Sequence, residues 1–274
     1  MTATQGSHVD LEVRGLTLGY DSRDVIDDLD LRIPPGSITA IVGPNACGKS
    51  TLLRSMTRLL PPRRGTVLLD GRDVHSIPAK QLAQRLGLLP QSPIAPEGIT
   101  VADLVGRGRH PHQQIFSRWS RQDDEAVAAA LEATATLELA ERPVDELSGG
   151  QRQRVWIAMA LAQQTEILLL DEPTTFLDVG HQLEVLDLLS DLNRDHGTTI
   201  VMVLHDLNLA ARYAEHLIAL AGGRLAASGS PSEVLTPELV RDLFDMESRI
   251  IEDPVSGKPL MLPIGRYHAR SVIT

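Results

Sequence analysis

Residues 43–51, Gly-Pro-Asn-Ala-Cys-Gly-Lys-Ser-Thr, have the residue types and the spacing of a loop that binds a triphosphate. Its glycines let the backbone turn tightly enough to direct N–H groups at phosphate oxygens. Lys49 would place a positive charge on the β- and γ-phosphates, and the Ser50 hydroxyl would ligate Mg²⁺. The residues predicted to contact the nucleotide are Gly43, Pro44, Asn45, Ala46, Cys47, Gly48, Lys49, Ser50 and Thr51.

The surroundings of this loop support the interpretation. The apolar run 38–42 predicts a strand before it, and the helix formers after Thr51 predict a helix behind it. The N-terminal end of that helix would add its partial positive charge to the same anion site. A glycine-rich turn that matches by chance is the alternative, and the order strand, loop, helix argues against it.

Two carboxylates follow a second apolar run, residues 167–170. Ligands of open α/β sheets bind beyond the carboxyl ends of the strands, where Asp171 and Glu172 would lie. There Asp171 could hold Mg²⁺, and Glu172 could orient or deprotonate the attacking water. Alone, the pair could equally be a strand-end turn whose aspartate caps a helix; beside a phosphate-binding loop, we favour the catalytic interpretation.

Residues 147–151, Leu-Ser-Gly-Gly-Gln, predict a helix start with Ser148 as N-cap and Gln151 at the capping-box position. Capping accounts for those two residues but does not require Gly149 and Gly150. Paired glycines ahead of a helix expose a group of N–H donors, which is a second anion site. The chain is therefore predicted to have two phosphate-binding surfaces and one lysine-bearing loop.

The composition is that of a globular protein in a reducing compartment. Apolar residues make up 42% of the 274 residues, and the net charge of −10 disfavours nucleic acid as a partner. A single cysteine, Cys47, rules out an internal disulfide. No apolar stretch reaches the roughly 20 residues that span a bilayer, and the first ten residues predict no signal peptide. We expect modification of Cys47 to block nucleotide binding and bound ATP to protect it.

The order of elements predicts an α/β fold with a mainly parallel sheet covered by helices. Alternating apolar residues near the N-terminus predict antiparallel strands. Residues 92–146 change in character, with an alanine-rich helical stretch at 123–137, and predict an inserted helical lobe. The tail from residue 228 predicts two short helices and a last strand pair. Further strands and helices are predicted at 38–42, 167–170 and 199–204, and at 151–163, 181–192 and 207–215.

Together these motifs resemble those of ATP-binding cassette (ABC) ATPases over nearly the whole chain. Residues 43–51 resemble the Walker A loop, 167–172 the Walker B strand and 147–151 the family signature. Four single residues resemble further family positions: Gln91 the Q-loop glutamine, Asp178 the D-loop aspartate, His205 the switch histidine and Tyr20 the aromatic residue that stacks on adenine.

This resemblance implies an ABC-type P-loop NTPase with an N-terminal antiparallel β subdomain and an inserted helical subdomain. The single domain, 1–274, would divide into a nucleotide-binding core with the β subdomain (about 8–91 and 152–227), a helical subdomain (92–151) and a C-terminal extension (228–274).

The resemblance also implies a mechanism at a head-to-tail homodimer with two ATP molecules. Glu172, His205 and Gln91 would be catalytic, while Ser50, Gln91 and Asp171 would hold Mg²⁺. The surface formed by Ser148, Gly149, Gly150, Gln151 and Asp178 would close on the ATP held by the other subunit.

Finer similarity points to an ABC importer of the iron-siderophore, haem and vitamin B12 group, carried by residues 88–91, 96–101, 106–109, 171–178, 205–208 and 253–259. The implied partners are integral membrane permease subunits, fed by an extracytoplasmic substrate-binding protein, with this chain at the cytoplasmic face of the membrane. The leading hypothesis is import of an iron-siderophore complex. The alternatives are a haem, vitamin B12 or metal importer, a multi-subunit exporter, and a soluble P-loop kinase or regulatory ATPase, which would leave residues 147–151 without a role.

Overall fold

The computed structural model describes residues 9–113, 119–175 and 177–265. Predictions that concern the remaining residues lie outside the described part of the chain; they include the absence of a signal peptide, the two ends of the predicted domain and Phe176 in the segment 171–178.

A six-stranded sheet forms the centre of the fold, in the order β10-β9-β3-β8-β7-β6. Its five strands from β9 to β6 are parallel, and β10 pairs antiparallel with β9 at one edge. The predicted α/β class with a mainly parallel core sheet is therefore confirmed. The strands are β3 (Ile38–Val42), β6 (Leu86–Leu89), β7 (Ile167–Asp171), β8 (Thr199–Val203), β9 (His216–Ala221) and β10 (Arg224–Gly229).

The N-terminal strands form a separate antiparallel sheet in the order β2-β1-β4-β5, as predicted. Its strands are β1 (Leu11–Tyr20), β2 (Arg23–Ile33), β4 (Arg64–Leu69) and β5 (Arg72–Asp73). The central sheet is apolar on both faces, as a parallel sheet covered on both sides requires. Ile41 of β3 packs toward the N-terminal sheet and helix α1 (Lys49–Met56), whereas Ala40 and Val42 pack toward helices on the opposite face.

Those helices are α5 (Gly149–Ala162), α6 (Val179–His196) and α7 (Leu207–Tyr213). Helix α5 begins two residues earlier than predicted, because Ser148 caps it and Gly149 is already helical. It therefore runs across the predicted boundary between residues 151 and 152. The division of the chain into subdomains stays a prediction.

Residues 92–148 contain α3 (Val101–Gly106), α4 (Arg121–Ala133) and short 3-10 turns, with α2 (Ala79–Arg85) before them. The predicted alanine-rich helix 123–137 is shorter, because its backbone leaves the helix at Thr134. Arg109 and Asp123 form a buried ion pair at 2.9 Å, and Arg109 also donates to the carbonyl of Ala162 at 2.8 Å. These bonds join α4 to α5 through one guanidinium group, because a buried charge needs paired acceptors.

The tail forms the predicted two short helices and strand pair: α8 (Pro231–Val234), α9 (Pro237–Phe244), β11 (Ser248–Glu252) and β12 (Pro259–Pro263). Strands β11 and β12 pair antiparallel, and this C-terminal hairpin packs against α7. In the described part of the chain, no helix combines the length and apolar composition that crossing a bilayer requires.

Candidate nucleotide site

The loop between β3 and α1 has the sharply turned backbone that its glycines predict. Gly43 and Gly48 have φ values of +148° and +105°. A Cβ atom on Gly43 would lie 2.3 Å from the carbonyl oxygen of Leu220, so only glycine fits there. Ala46 also has a positive φ of +61°, which costs an L-residue about 1 kcal/mol or more. The loop thus holds a strained residue in the middle of the predicted phosphate site.

The side chain of Lys49 lies within this loop. Its Nζ donates hydrogen bonds to the carbonyl oxygens of Gly43, at 2.8 Å, and Pro44, at 2.9 Å. Lys49 is buried, and a buried ammonium group is stable only when acceptors replace the lost water. The loop therefore holds one positive charge at the N-terminal end of α1, where backbone N–H groups also favour an anion.

Ser50, in the first turn of α1, contacts Asp171 at the end of β7. The Ser50 hydroxyl donates to Asp171 Oδ1 at 2.9 Å, although 121 residues separate the two in sequence. Burial raises the pKa of the Asp171 carboxyl, and the neighbouring charge of Glu172 adds to the rise. A hydroxyl and a carboxylate in contact are hard oxygen donors of the kind that Mg²⁺ selects, so this pair fits the predicted metal site.

Glu172 lies at the centre of a polar cluster. One carboxylate oxygen, Oε2, accepts hydrogen bonds from Gln91 Nε2 at 2.7 Å and from the Thr175 hydroxyl at 3.0 Å. The other, Oε1, lies 2.6 Å from His205 Nε2. Glu172 is only 8% exposed and has a positive φ of +56°. Strained residues that persist in native proteins cluster at functional sites, and here three side chains fix the carboxylate in one orientation.

A cleft of about 1140 Å³ joins these groups. Its lining includes most of the predicted residues of the loop, and also Tyr20, Gln91, Glu172 and His205. Arg54 Nη1 donates to the hydroxyl of half-exposed Tyr20 at 3.4 Å. The structure therefore brings Tyr20, most of the predicted loop and the three predicted catalytic residues to one cleft, whereas Gly43, Pro44, Cys47 and Asp171 are not part of its lining. The individual roles of these residues stay predictions.

Several groups of this cleft are not predicted from the sequence. Residues 21–25, which form the β1–β2 turn and the start of β2, and the pair Gly222-Gly223 line it as well. A Cβ atom on Gly223 would lie 2.2 Å from the Val25 carbonyl oxygen, which explains why this position is a glycine. Thr175 enters the sequence predictions only as part of the segment 171–178. Its hydroxyl, three residues after Glu172, is the feature from which a contact with that carboxylate could have been predicted.

None of residues 148–151 is among the described residues that line that cleft. Ser148 accepts from the Gln151 N–H at 3.3 Å, and Gln151 Oε1 accepts from the Ser148 N–H at 3.1 Å, so the predicted capping box is present. A Cβ atom on Gly149 would meet no atom within 4 Å, and one on Gly150 would make an ordinary 3.5 Å contact with Leu177. The fold of the chain itself therefore does not require these two glycines.

Asp178 is also outside the cleft and caps helix α6. Its Oδ1 accepts from the His181 N–H at 3.0 Å and contacts His181 Nδ1 at 2.8 Å. These hydrogen bonds hold the pKa of the exposed Asp178 carboxyl below its usual value, and the bond from the His181 backbone N–H has the largest effect. Within one chain, the predicted signature surface therefore lies outside the cleft that contains the predicted phosphate loop.

Comparisons with known proteins agree with this geometry. The family model described as ABC transporter matches residues 26–175. The chain is 56% identical to the achromobactin transport ATP-binding protein CbrD of Dickeya dadantii, with 92% of this chain and 94% of that protein covered. It is 54% identical to the ferric enterobactin transport ATP-binding protein FepC of Escherichia coli, with coverage of 92% and 93%.

The chain is also similar to solved structures over most of its length, as two of them illustrate. One is described as an inward-facing conformation of a metal-chelate type ABC transporter, with a TM-score of 0.81, 29% identity and coverage of 95% of this chain and 99% of that one. The other is the dimeric structure of MJ0796, a bacterial ABC transporter cassette, with a TM-score of 0.72, 27% identity and coverage of 80% and 98%.

The only cysteine of the sequence leads to a pH prediction. Cys47 is 4% exposed, and burial raises the pKa of its thiol even though Lys49 lies close to it. Near neutral pH the reactive thiolate is therefore scarcer than for an exposed cysteine, and access is blocked as well. We expect iodoacetamide to label the native chain about tenfold or more slowly than the chain in guanidinium chloride, and faster as the pH rises.

Mass spectrometry of the intact chain over time measures both rates. Equal rates for the native and denatured chains near neutral pH would contradict the buried position of the thiol. Labelling that does occur should still abolish nucleotide binding, because Cys47 is part of the loop.

Proposed function

The chain belongs to the ABC transporter family, and we propose that it is the ATP-hydrolysing subunit of an importer for iron-siderophore complexes. The observation that carries the proposal is the single cleft in which the phosphate-binding loop faces Glu172, Gln91 and His205. The relatives named for achromobactin and ferric enterobactin transport support the substrate class.

The triphosphate would be held mainly by the loop 43–51. Lys49 would exchange its two carbonyl partners for phosphate oxygens, which bind an ammonium group more strongly because they are charged. Ser50, Asp171 and Gln91 would hold Mg²⁺, which supplies charge neutralisation at the β- and γ-phosphates when bound. The exposed ring of Tyr20 at the rim of the cleft would stack on the adenine.

Glu172 would orient the attacking water and accept its proton. Gln91 and Thr175 occupy Oε2 and His205 contacts Oε1, so the carboxylate is fixed before the reaction. Such preorganisation lowers the barrier because these groups need not reorient in the transition state. His205 is 47% exposed and could also reach the transferred phosphate from the side of the cleft.

The separation of the two anion surfaces supports a head-to-tail homodimer. Ser148, Gly149 and Gly150 lie at the start of α5, and the two glycines have no steric role in their own fold. In the proposed dimer their N–H groups close on the γ-phosphate held by Lys49 of the other subunit, with Gln151 and Asp178 beside them. Charge cancellation at two triphosphates would hold the dimer closed, and hydrolysis would release it.

The proposed transporter contains two copies of this chain on two permease subunits at the cytoplasmic face of the membrane. An extracytoplasmic substrate-binding protein would deliver the iron chelate to the permease. Haem, vitamin B12 or metal import, and export by a multi-subunit system, are the alternatives that a transport assay separates.

The change Gly149→Ala tests the proposed contact between subunits. An alanine methyl group meets no atom of its own chain, and alanine favours a helix over glycine by up to about 1 kcal/mol. We therefore expect an unchanged or raised Tm but a loss of ATPase turnover of about tenfold or more, because the methyl group would obstruct the approach of the other subunit's triphosphate.

Thermal unfolding and steady-state ATP hydrolysis measure the two effects side by side. Arg121→Ala is the matched control, since Arg121 occupies the same first helical position in the serine-capped helix α4. Equal turnover for Gly149→Ala and Arg121→Ala would contradict a role of Gly149 between subunits.

Uptake into membrane vesicles tests the proposed function. The chain is reconstituted with its permease and substrate-binding protein, and radiolabelled iron-siderophore, haem and cobalamin are offered in parallel. We expect ATP-dependent accumulation of the iron-siderophore, which stops with Glu172→Gln although that variant still binds ATP. Lys49→Ala is the control that should lose ATP binding itself. Accumulation of haem or cobalamin alone, or export of the label, would contradict the proposal.

A further inference from the structure

Helix α7 directly follows His205, and its position determines where that histidine lies. The residue stands between the end of β8 at Val203 and the start of α7 at Leu207. Asp206 caps the helix by accepting from the N–H groups of Asn208 and Leu209. Because α7 has only seven residues, it is too short to be stable by itself, and its placement depends on tertiary contacts.

The C-terminal hairpin supplies one such contact through Asn208. The Nδ2 of Asn208 donates to the carbonyl oxygen of Met261 at 3.1 Å, and the Met261 N–H donates to Asn208 Oδ1 at 2.7 Å. The side-chain amide thus pairs with the backbone of β12 as a neighbouring strand would. Two hydrogen bonds to the backbone of one residue, Met261, fix both the distance and the orientation of the helix.

A second contact lies one turn further along α7, on the same side of the helix. Arg212 forms an ion pair with Asp253 Oδ2, 2.8 Å from Nη2 and 3.0 Å from Nε. Asp253 is 4% exposed and begins the turn of the hairpin, where it also accepts from Ser256 and from the Val255 N–H. These hydrogen bonds, with Arg212, hold the pKa of Asp253 below its usual value.

We propose that the C-terminal hairpin is a positioning element of the hydrolytic site, which holds His205 against Glu172 by fixing helix α7 through Asn208 and Arg212. This inference rests on the proposed role of His205 in hydrolysis. It assigns a role in turnover to residues 248–263, which do not line the cleft. Asn208 and Arg212 are positioning residues, since they act through His205 and touch no part of the cleft.

A purely structural role is the competing explanation, in which the hairpin only covers the apolar side of α7. The helix has another anchor, because the Tyr213 hydroxyl donates to Asp187 of α6 at 2.8 Å. Burial, together with the hydrogen bond to Asp187, raises the pKa of Tyr213 to about 12, so the phenol keeps its proton as donor. Loss of the hairpin bonds should therefore leave α7 folded but free to shift, which affects turnover before stability.

The test uses the full-length chain with Asn208→Ala, which removes both bonds to Met261. We expect kcat for ATP hydrolysis to fall about tenfold, because small displacements of a catalytic group cost this much or more. ATP affinity should stay within about twofold, since the phosphate loop is untouched. Hydrogen–deuterium exchange should rise in residues 205–213.

The matched control is Thr236→Ala, which removes the N-cap hydrogen bond of α9, from the Leu239 N–H, within the same C-terminal extension. It should lower Tm, as loss of a cap does, and leave kcat and the exchange of residues 205–213 unchanged. A fall in kcat with Thr236→Ala that equals that of Asn208→Ala would overturn the proposal in favour of a structural role.

A double-mutant cycle with His205→Ala, measured by single-turnover hydrolysis, distinguishes failure of the positioning role of Asn208 from failure of the proposed role of His205. If Asn208 acts through His205, adding Asn208→Ala to His205→Ala causes no further loss. Equal losses in both backgrounds, or full turnover by Asn208→Ala alone, would overturn the positioning role while the proposed function stands. Wild-type turnover by His205→Ala would instead refute the proposed role of His205, on which the inference rests.

Discussion

The parallel pairing of four strands, β6, β7, β8 and β3, brings the residues of the proposed hydrolytic site together at the carboxyl ends of these strands. Ile41 and Asp171 both pair with Val203, so the phosphate loop, the two carboxylates and His205 all begin within a residue or two of the same level. Gln91 follows β6 at that level too. A shift of one residue in any of these registers would exchange the side chains that pack on the two faces, so the close packing of both buried faces maintains the alignment.

This alignment creates an electrostatic problem that side chains from distant segments solve. Glu172 and Asp171 are adjacent, buried carboxylates; burial raises the pKa of the Asp171 carboxyl, and the charge of Glu172 adds to the rise. Ser50 bonds one of them, and Gln91, Thr175 and His205 contact the other. The same contacts that make burial of the charges tolerable also fix the carboxylate of Glu172 in one orientation, as its proposed role in water activation requires. Here stability and preorganisation come from the same hydrogen bonds.

Features that depend on residues close together in the sequence could be predicted from it. The α/β class, the phosphate loop between strand and helix, the capping box at Ser148 and the final hairpin all follow from residue types within short windows. The sequence could not predict contacts between distant segments, such as Asn208 with Met261, or the exclusion of any side chain at Gly43 by the Leu220 carbonyl. Nor could it predict the positive φ of Glu172, since L-residues seldom adopt it and only the surrounding packing imposes it.

In the proposed dimer, one triphosphate is bound by two subunits, by Lys49 of one and by the Ser148 surface of the other. Turnover of an equal mixture of Lys49→Ala and Ser148→Arg chains tests it most directly. In a mixed dimer, one site combines the intact Lys49 of the second variant with the intact Ser148 of the first. We expect the mixture to hydrolyse ATP at a rate well above the sum of the rates of the two separate variants. Hydrolysis that merely equals that sum would contradict it, because a site contained within one chain cannot be restored by mixing.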